Sequence, residues 1–133
     1  MQEAYLDFQA INPTFFSLQM PSVVPICRKA IRDWSEVDHA SFLRMTDGLY
    51  SALMSLRAQN TRIRYDEGSK ICQMLAQELD NRLLNDGQFI EKMSRNSKAG
   101  NTTVLILDRR EDPVTPLLNQ WTYQAMIHEL LGI

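Results

Sequence analysis

Four consecutive apolar residues, Val104, Leu105, Ile106 and Leu107, limit what this chain can fold into more than any other feature. A strand with one face in water alternates apolar and polar side chains. An uninterrupted run of leucine and β-branched residues, set between Gly100-Asn101 and a charged segment, reads instead as a strand covered on both faces, as in a parallel sheet. After the run come Asp108, Arg109, Arg110, Glu111 and Asp112, then Pro113 and Pro116. Each proline fixes φ and lacks a backbone donor, so no ladder continues through them. Each also moves its predecessor, Asp112 or Thr115, out of the α region. A helical pattern starts near Leu117 and runs to Leu131, where Gly132 stops it. The unit is strand, charged loop, helix. In open α/β sheets, ligands or partners sit at such loops on the carboxyl ends of strands.

The rest of the chain alternates in the same way. Its 133 residues make one domain at most, able to bury about two thirds of its unfolded surface. Asn12-Pro13 is a turn, followed by a short strand over 15–18. Pro21 and Pro25 bracket Val23-Val24, an extended segment poorly suited to a central strand. A short helix is expected over 26–34, and Asp38 is a good N-cap for the next. There Phe42, Met45, Leu49, Leu53 and Leu56 form one apolar stripe. Gly48 costs that helix about 1 kcal/mol relative to alanine and leaves room for a close neighbour. Asn60 closes it. Residues 61–65 form a second strand, with Ile63 and Tyr65 inward. A helix over 69–85 buries Ile71, Leu75, Leu79 and Leu83. Phe89, Ile90 and Met93 pack briefly before the polar loop SRNSKAGN. Strand–helix alternation predicts an α/β fold: a partial parallel sheet of about three strands with flanking helices. Parallel sheets are normally covered and flanked, so this one is expected to be an incomplete piece of a larger α/β domain.

Composition excludes several function classes. A net charge of −2 provides no general field for nucleic acid or acidic membrane. Arg28-Lys29 and Arg109-Arg110 read as solvated surface. Cys27 and Cys72 lack zinc-site spacing and read as reduced, half-buried thiols of a cytosolic protein. No apolar run is long enough to span a bilayer, and MQEAYLDFQ is not a signal peptide. The chain is therefore placed in the cytosol.

Asp108 and Asp112, with Thr115 nearby, could hold magnesium in an aspartate-centred enzyme. The pair of aspartates one residue apart that many such phosphatases use is missing, and neighbouring guanidinium groups would compete with a cation. Asp108 and Arg109 are instead expected to brace the loop. His128, beside Glu129, reads as surface or as a satisfied core residue. No nucleophile elbow and no phosphate-cradling glycine loop is present, so no catalytic residue, metal or cofactor is assigned. Trp121, Tyr123 and Met126 could anchor a partner, although core packing is the more ordinary role. The residues alone leave three readings: an interaction module, a magnesium-dependent enzyme and a stand-alone α/β scaffold.

Over 107–133, LDRREDPVTPLLNQWTYQAMIHELLGI closely resembles the signature of the SM (Sec/Munc) family, which chaperones SNARE assembly in vesicle fusion. Its wording is most similar to the vacuolar-protein-sorting branch. NPxxFSL at Asn12 to Leu18 and IRY at Ile63 to Tyr65 add support. The resemblance implies a much longer parent with three domains. Residues 1–20 would be the end of a preceding domain or an inter-domain connection. Residues 21–133 would be the first half of the α/β second domain, its sheet completed by the far C-terminal part. It implies a parent that binds a syntaxin-type SNARE and promotes vesicle docking and fusion in endosomal and Golgi transport. That parent would be cytoplasmic, peripheral to those membranes through SNAREs, and without catalysis or cofactor. Little or no partner binding is expected of this piece alone. Asp108, Arg109, Asp112, Pro113, Thr115, Pro116, Trp121 and Tyr123 fall on the family pattern, with a structural or inter-domain role.

Overall fold

Two parallel strands with helices packed on them form the body of the computed structural model, which describes residues 7–20, 23–87, 101–118 and 121–131. A hairpin of β1 (Gln9–Asn12) and β2 (Phe15–Ser17) comes first, followed by α1 (Val23–Arg28) and a 3-10 turn at Ile31–Asp33. Next are α2 (Glu36–Ser55), β3 (Gln59–Tyr65), α3 (Lys70–Asn85) and β4 (Asn101–Ile106). Two 3-10 turns, Arg109–Glu111 and Thr115–Leu117, lead to α4 (Tyr123–Leu131). β3 and β4 pair in parallel, with Ile63 opposite Val104 and Tyr65 opposite Ile106.

The parallel sheet and its flanking helices are as the alternation predicts, but the sheet has two strands among the described residues. The expected strand at 15–18 turns back on β1 in a separate antiparallel hairpin. The reason is local. Thr14 donates from N and Oγ1 to Asn12 Oδ1, at 2.9 and 3.1 Å, closing a tight Asx turn at Asn12-Pro13. A hairpin needs only such a turn, whereas a parallel neighbour needs a crossover.

The apolar run is covered on one side. Ile106 is buried and Val104 half-buried, against the clusters supplied by α2 and α3. Leu105 and Leu107 alternate to the other face and are 61% and 68% exposed. The expected cover on both faces is thus absent among the described residues, and β4 ends at Ile106. Tyr65, expected inward, is the last residue of β3 and is exposed.

Two clusters make the core: Ile26, Trp34, Phe42, Cys72, Leu75 and Ile106, and then Leu53, Ala58 and Leu79. Ile63, Val104 and Leu49 pack against both. The α2 stripe is the expected one except at its end, where Leu56 lies past the last helical residue and is exposed. Buried Thr46 fits the inner face by donating its hydroxyl to the Phe42 carbonyl at 3.1 Å. α3 runs as expected, with Ser69 as its N-cap, and Cys72 is fully in the core.

Helix ends are where local chemistry departs from expectation. The N-cap of α2 is Ser35, three residues before Asp38. Asp38 is the N3 member of a capping box, accepting from Ser35 N at 2.8 Å while Ser35 Oγ accepts from Asp38 N at 3.3 Å. Its C-terminus is a Schellman turn at Arg57, well before Asn60. Arg57 has φ 52°, Ala58 N donates to Leu53 O and Arg57 N donates to Met54 O, both at 3.0 Å. Val23 and Val24, expected to be extended, open α1. Pro25 sits in that first turn, where a missing N–H costs nothing. The helix expected over 26–34 is split into the end of α1 and the 3-10 turn. The last helix starts at Tyr123, because Thr115–Leu117 is a 3-10 turn that gives way to extended Leu118. The expectations for Tyr5, Leu6, 88–100 and Gly132 lie outside the described residues.

Candidate functional site

At the carboxyl end of β4 three elements converge on one carboxylate. Asp108 lies two residues past the end of the strand, and its side chain is only 7% exposed. Asp108 Oδ2 accepts from Ser69 Oγ, the N-cap of α3, at 2.6 Å. Asp108 Oδ1 accepts from Arg110 N at 3.0 Å, capping the 3-10 turn. The Arg110 guanidinium lies along the same carboxylate, with Nε at 3.0 Å from Oδ1 and Nη2 at 2.6 Å from Oδ2. Arg110 Nη1 also donates to the Cys27 carbonyl at the end of α1. One short loop therefore joins β4, α3 and α1.

The electrostatics follow. The Arg110 guanidinium, then the Ser69 and backbone donors, hold the Asp108 carboxyl well below the usual range against the opposing cost of burial. Asp108 in turn raises Arg110. Burial pushes the Cys27 thiol up, opposed by Arg110.

Asp108 is expected to brace the loop with Arg109, but the arginine on its carboxylate is Arg110. A 3-10 turn capped by Asp108 brings residue i+2 onto the carboxylate. Arg109 points outward to Asp112, 3.5 Å away on the surface. Asp112 accepts from Thr115 N at 3.1 Å and from Thr115 Oγ1, and the Thr115 hydroxyl is the main cause of its lowered pKa. Pro113 is exposed, and Pro116 is the second residue of the 3-10 turn that the Asp112–Thr115 bonds anchor. Asp108 and Asp112 thus serve separate turns. Magnesium needs several oxygens in a near-octahedral set, and here a guanidinium fills the space beside Asp108. Among the described residues no group of three or more His, Cys, Asp or Glu is placed to hold an ion.

Trp121, Tyr123 and Met126 are exposed, Trp121 at 94%, so the more ordinary core role is not what the described residues show. Val114, Leu117 and Leu118 are exposed beside them, which makes the loop an apolar surface. The start of α4 also faces the hairpin. Ile11 and Phe15 with Tyr123 and Ile127 line an open groove of about 810 Å³, at whose edge Asn12 Nδ2 donates to Gln124 Oε1 at 3.5 Å. The side chain of His128 lies outside the described residues. Sequence reasoning missed Ser69 and Arg110. Ser69 was legible as a cap after Gly68, but nothing local links it to a residue after the next strand.

All 133 residues match the model of the Sec1 family. The chain is 40% identical over 133 residues to vacuolar protein sorting-associated protein 45 of Dictyostelium discoideum, covering 100% of this chain and 22% of that protein. It is 41% identical to the Homo sapiens protein of that name, covering 100% of this chain and 21% of that one. Among solved structures it resembles that of the SM protein Vps45, with a TM-score of 0.74 and 39% identity over 96% of this chain and 23% of that chain. It also resembles Vps45 in complex with the Qa SNARE Tlg2 (1–310), with a TM-score of 0.72 and 40% identity over 96% of this chain and 22% of that chain. The chain thus spans 21–22% of the length of these curated relatives.

Proposed function

Because this chain belongs to the Sec1 family, we propose that it is part of an SM-type protein that binds a syntaxin-type (Qa) SNARE and promotes vesicle docking and fusion. Residues 1–20 are the end of a preceding domain or an inter-domain connection, and residues 21–133 the first half of the α/β second domain. One observation supports this most: identity near 40% runs the whole length of the chain, toward proteins of which one has been seen with a Qa SNARE. The half-covered sheet agrees with it, since Leu105 and Leu107 need further chain or a partner over them. The role is one of binding and assembly, in endosomal and Golgi transport, with no catalytic step. No helix of the described residues is long and apolar enough to cross a membrane; in this reading the parent is peripheral to membranes through its SNAREs. Asp108, Arg109, Asp112, Pro113, Thr115 and Pro116 shape the loop after β4, and Trp121 and Tyr123 are covered by another part of the parent.

The test is a binding titration of the full natural protein, and of this chain alone, against the soluble part of a Qa SNARE. The full protein binds with a Kd of about 1 μM or tighter and the chain alone does not. A full protein that binds no Qa SNARE overturns the proposal. Equal binding by the chain alone moves the SNARE contact into these residues.

A further inference from the structure

Gly48, on α2, is where the two ends of the N-terminal hairpin meet the helix. A Cβ there would stand 2.8 Å from the Asp7 carbonyl oxygen and 2.8 Å from Leu18 Cδ2. Asp7 precedes β1 and Leu18 follows β2, so entry to and exit from the hairpin press into one notch. Polar contacts surround it. Arg44 Nη1 donates to the Asp7 carbonyl at 3.0 Å and lies 3.5 Å from the Asp7 carboxylate. Ser51 Oγ donates to Asp7 Oδ2 at 2.8 Å. Arg44, Gly48 and Ser51 follow one another at helical spacing along one side of α2.

Little else holds the hairpin. Ile11, Phe15 and Phe16 are exposed, and among the described residues β1 and β2 pack substantially only on each other. A two-stranded hairpin is marginal by itself in water. The Arg44–Asp7 pair is partly solvated and belongs to a class that contributes little. At the far end the groove against α4 is open, and the Asn12–Gln124 bond is long and exposed.

We propose that Gly48 is the seat, and Asp7 the latch, that set the position of the N-terminal hairpin on α2, and that the hairpin leaves the α/β body as a unit when the latch opens. The device goes beyond the SNARE-binding proposal and does not depend on it. Side chains at 48 are excluded by close approach of backbone. The latch is weak enough to release without unfolding α2.

Hydrogen exchange on the full natural protein tests this, comparing amides of 9–17 with those of α2 and α3. Alanine favours a helix over glycine by about 1 kcal/mol, so if Gly48 matters only to its helix, Gly48→Ala slows exchange or leaves it unchanged. The seat predicts hairpin exchange about tenfold faster in Gly48→Ala, with α2 protection kept or increased. The surface double variant Asp7→Asn/Ser51→Ala, which leaves the notch intact, speeds hairpin exchange about threefold. Unchanged hairpin exchange in Gly48→Ala overturns the seat, as does joint loss of hairpin and α2 protection. Unchanged hairpin exchange in the double variant overturns the latch.

Discussion

Ser69 Oγ donates to Asp108 Oδ2 at 2.6 Å, so the N-cap of α3 is bonded to the N-cap of the 3-10 turn that follows β4, the strand beside β3. Ser69 also accepts from Cys72 N as the N-cap of α3. The hydroxyl is thus used in both directions, and Ser69 is buried. Removing the acceptor leaves a buried donor and a guanidinium without their partner, which costs more than the bond itself contributes. Asp108→Ala should cost about 2–3 kcal/mol in urea unfolding of the full natural protein, and Ser69→Ala about 1–2 kcal/mol. The double variant should cost less than the two added together. Strict additivity would show that the two side chains do not act as a pair.

Acid should weaken the molecule through two named carboxylates. Lys29, then Ser35, hold Asp38 down to about 2, and Arg110 holds Asp108 below the usual range. Folded values below the unfolded ones mean stability that is complete above about pH 4 and lost as pH falls through the folded value. The deficit of Asp38→Asn relative to the unaltered protein should therefore be greatest at neutral pH and shrink between about pH 4 and pH 2. A deficit in melting temperature that stays constant down to pH 2 would rule out this origin.

Arg57 occupies the left-handed region that glycine prefers, at φ 52°, and its side chain is exposed. The Schellman bonds from Arg57 N and Ala58 N use backbone only, so they survive substitution. Arg57→Gly should raise stability by about 0.5–1 kcal/mol, since the strain relieved exceeds the entropy glycine adds to the unfolded chain. Thermal or urea melts of the two proteins check it, and a loss of stability would show that the Arg57 side chain has a role of its own.

Trp34 is buried against Phe42 and His39, with ring centroids 5.5 and 5.3 Å away, yet its indole Nε1 has no hydrogen-bond partner among the described residues. Its value to the fold is therefore apolar. Trp34→Phe deletes the unpaired donor along with some volume and should cost under about 1.5 kcal/mol, whereas Trp34→Ala should cost about 3–5 kcal/mol. A large loss in the phenylalanine variant would mean that the indole N–H is engaged in the folded protein.

What the sequence made legible was periodic, and what it hid was long-range or terminal. The stripe of Phe42, Met45, Leu49 and Leu53 and the line of Leu75 and Leu79 were readable because a helix repeats its inner face. The parallel sheet was readable from strand–helix alternation. The outward turn of Leu105 and Leu107 was not, because an apolar run says that a face wants cover and not whether this chain supplies it. Arg109 and Arg110 are chemically identical neighbours, and only the 3-10 turn after Asp108 decides which one meets the carboxylate. The Schellman turn at Arg57 escaped notice because its usual residue is glycine. The family resemblance was carried by Leu107 to Ile133, whose loop and exposed Trp121 now prove to be surface.

The parallel join of Ile63 to Val104 also has a consequence in time. All of α3 is synthesised between them, and such distant pairings close slowly. A nascent chain therefore has α2, β3 and α3 available to collapse on Leu53, Ala58 and Leu79 before β4 leaves the ribosome. During that interval β3 lacks its β4 partner, and the unpaired strand edge is open to chaperones and to misassociation.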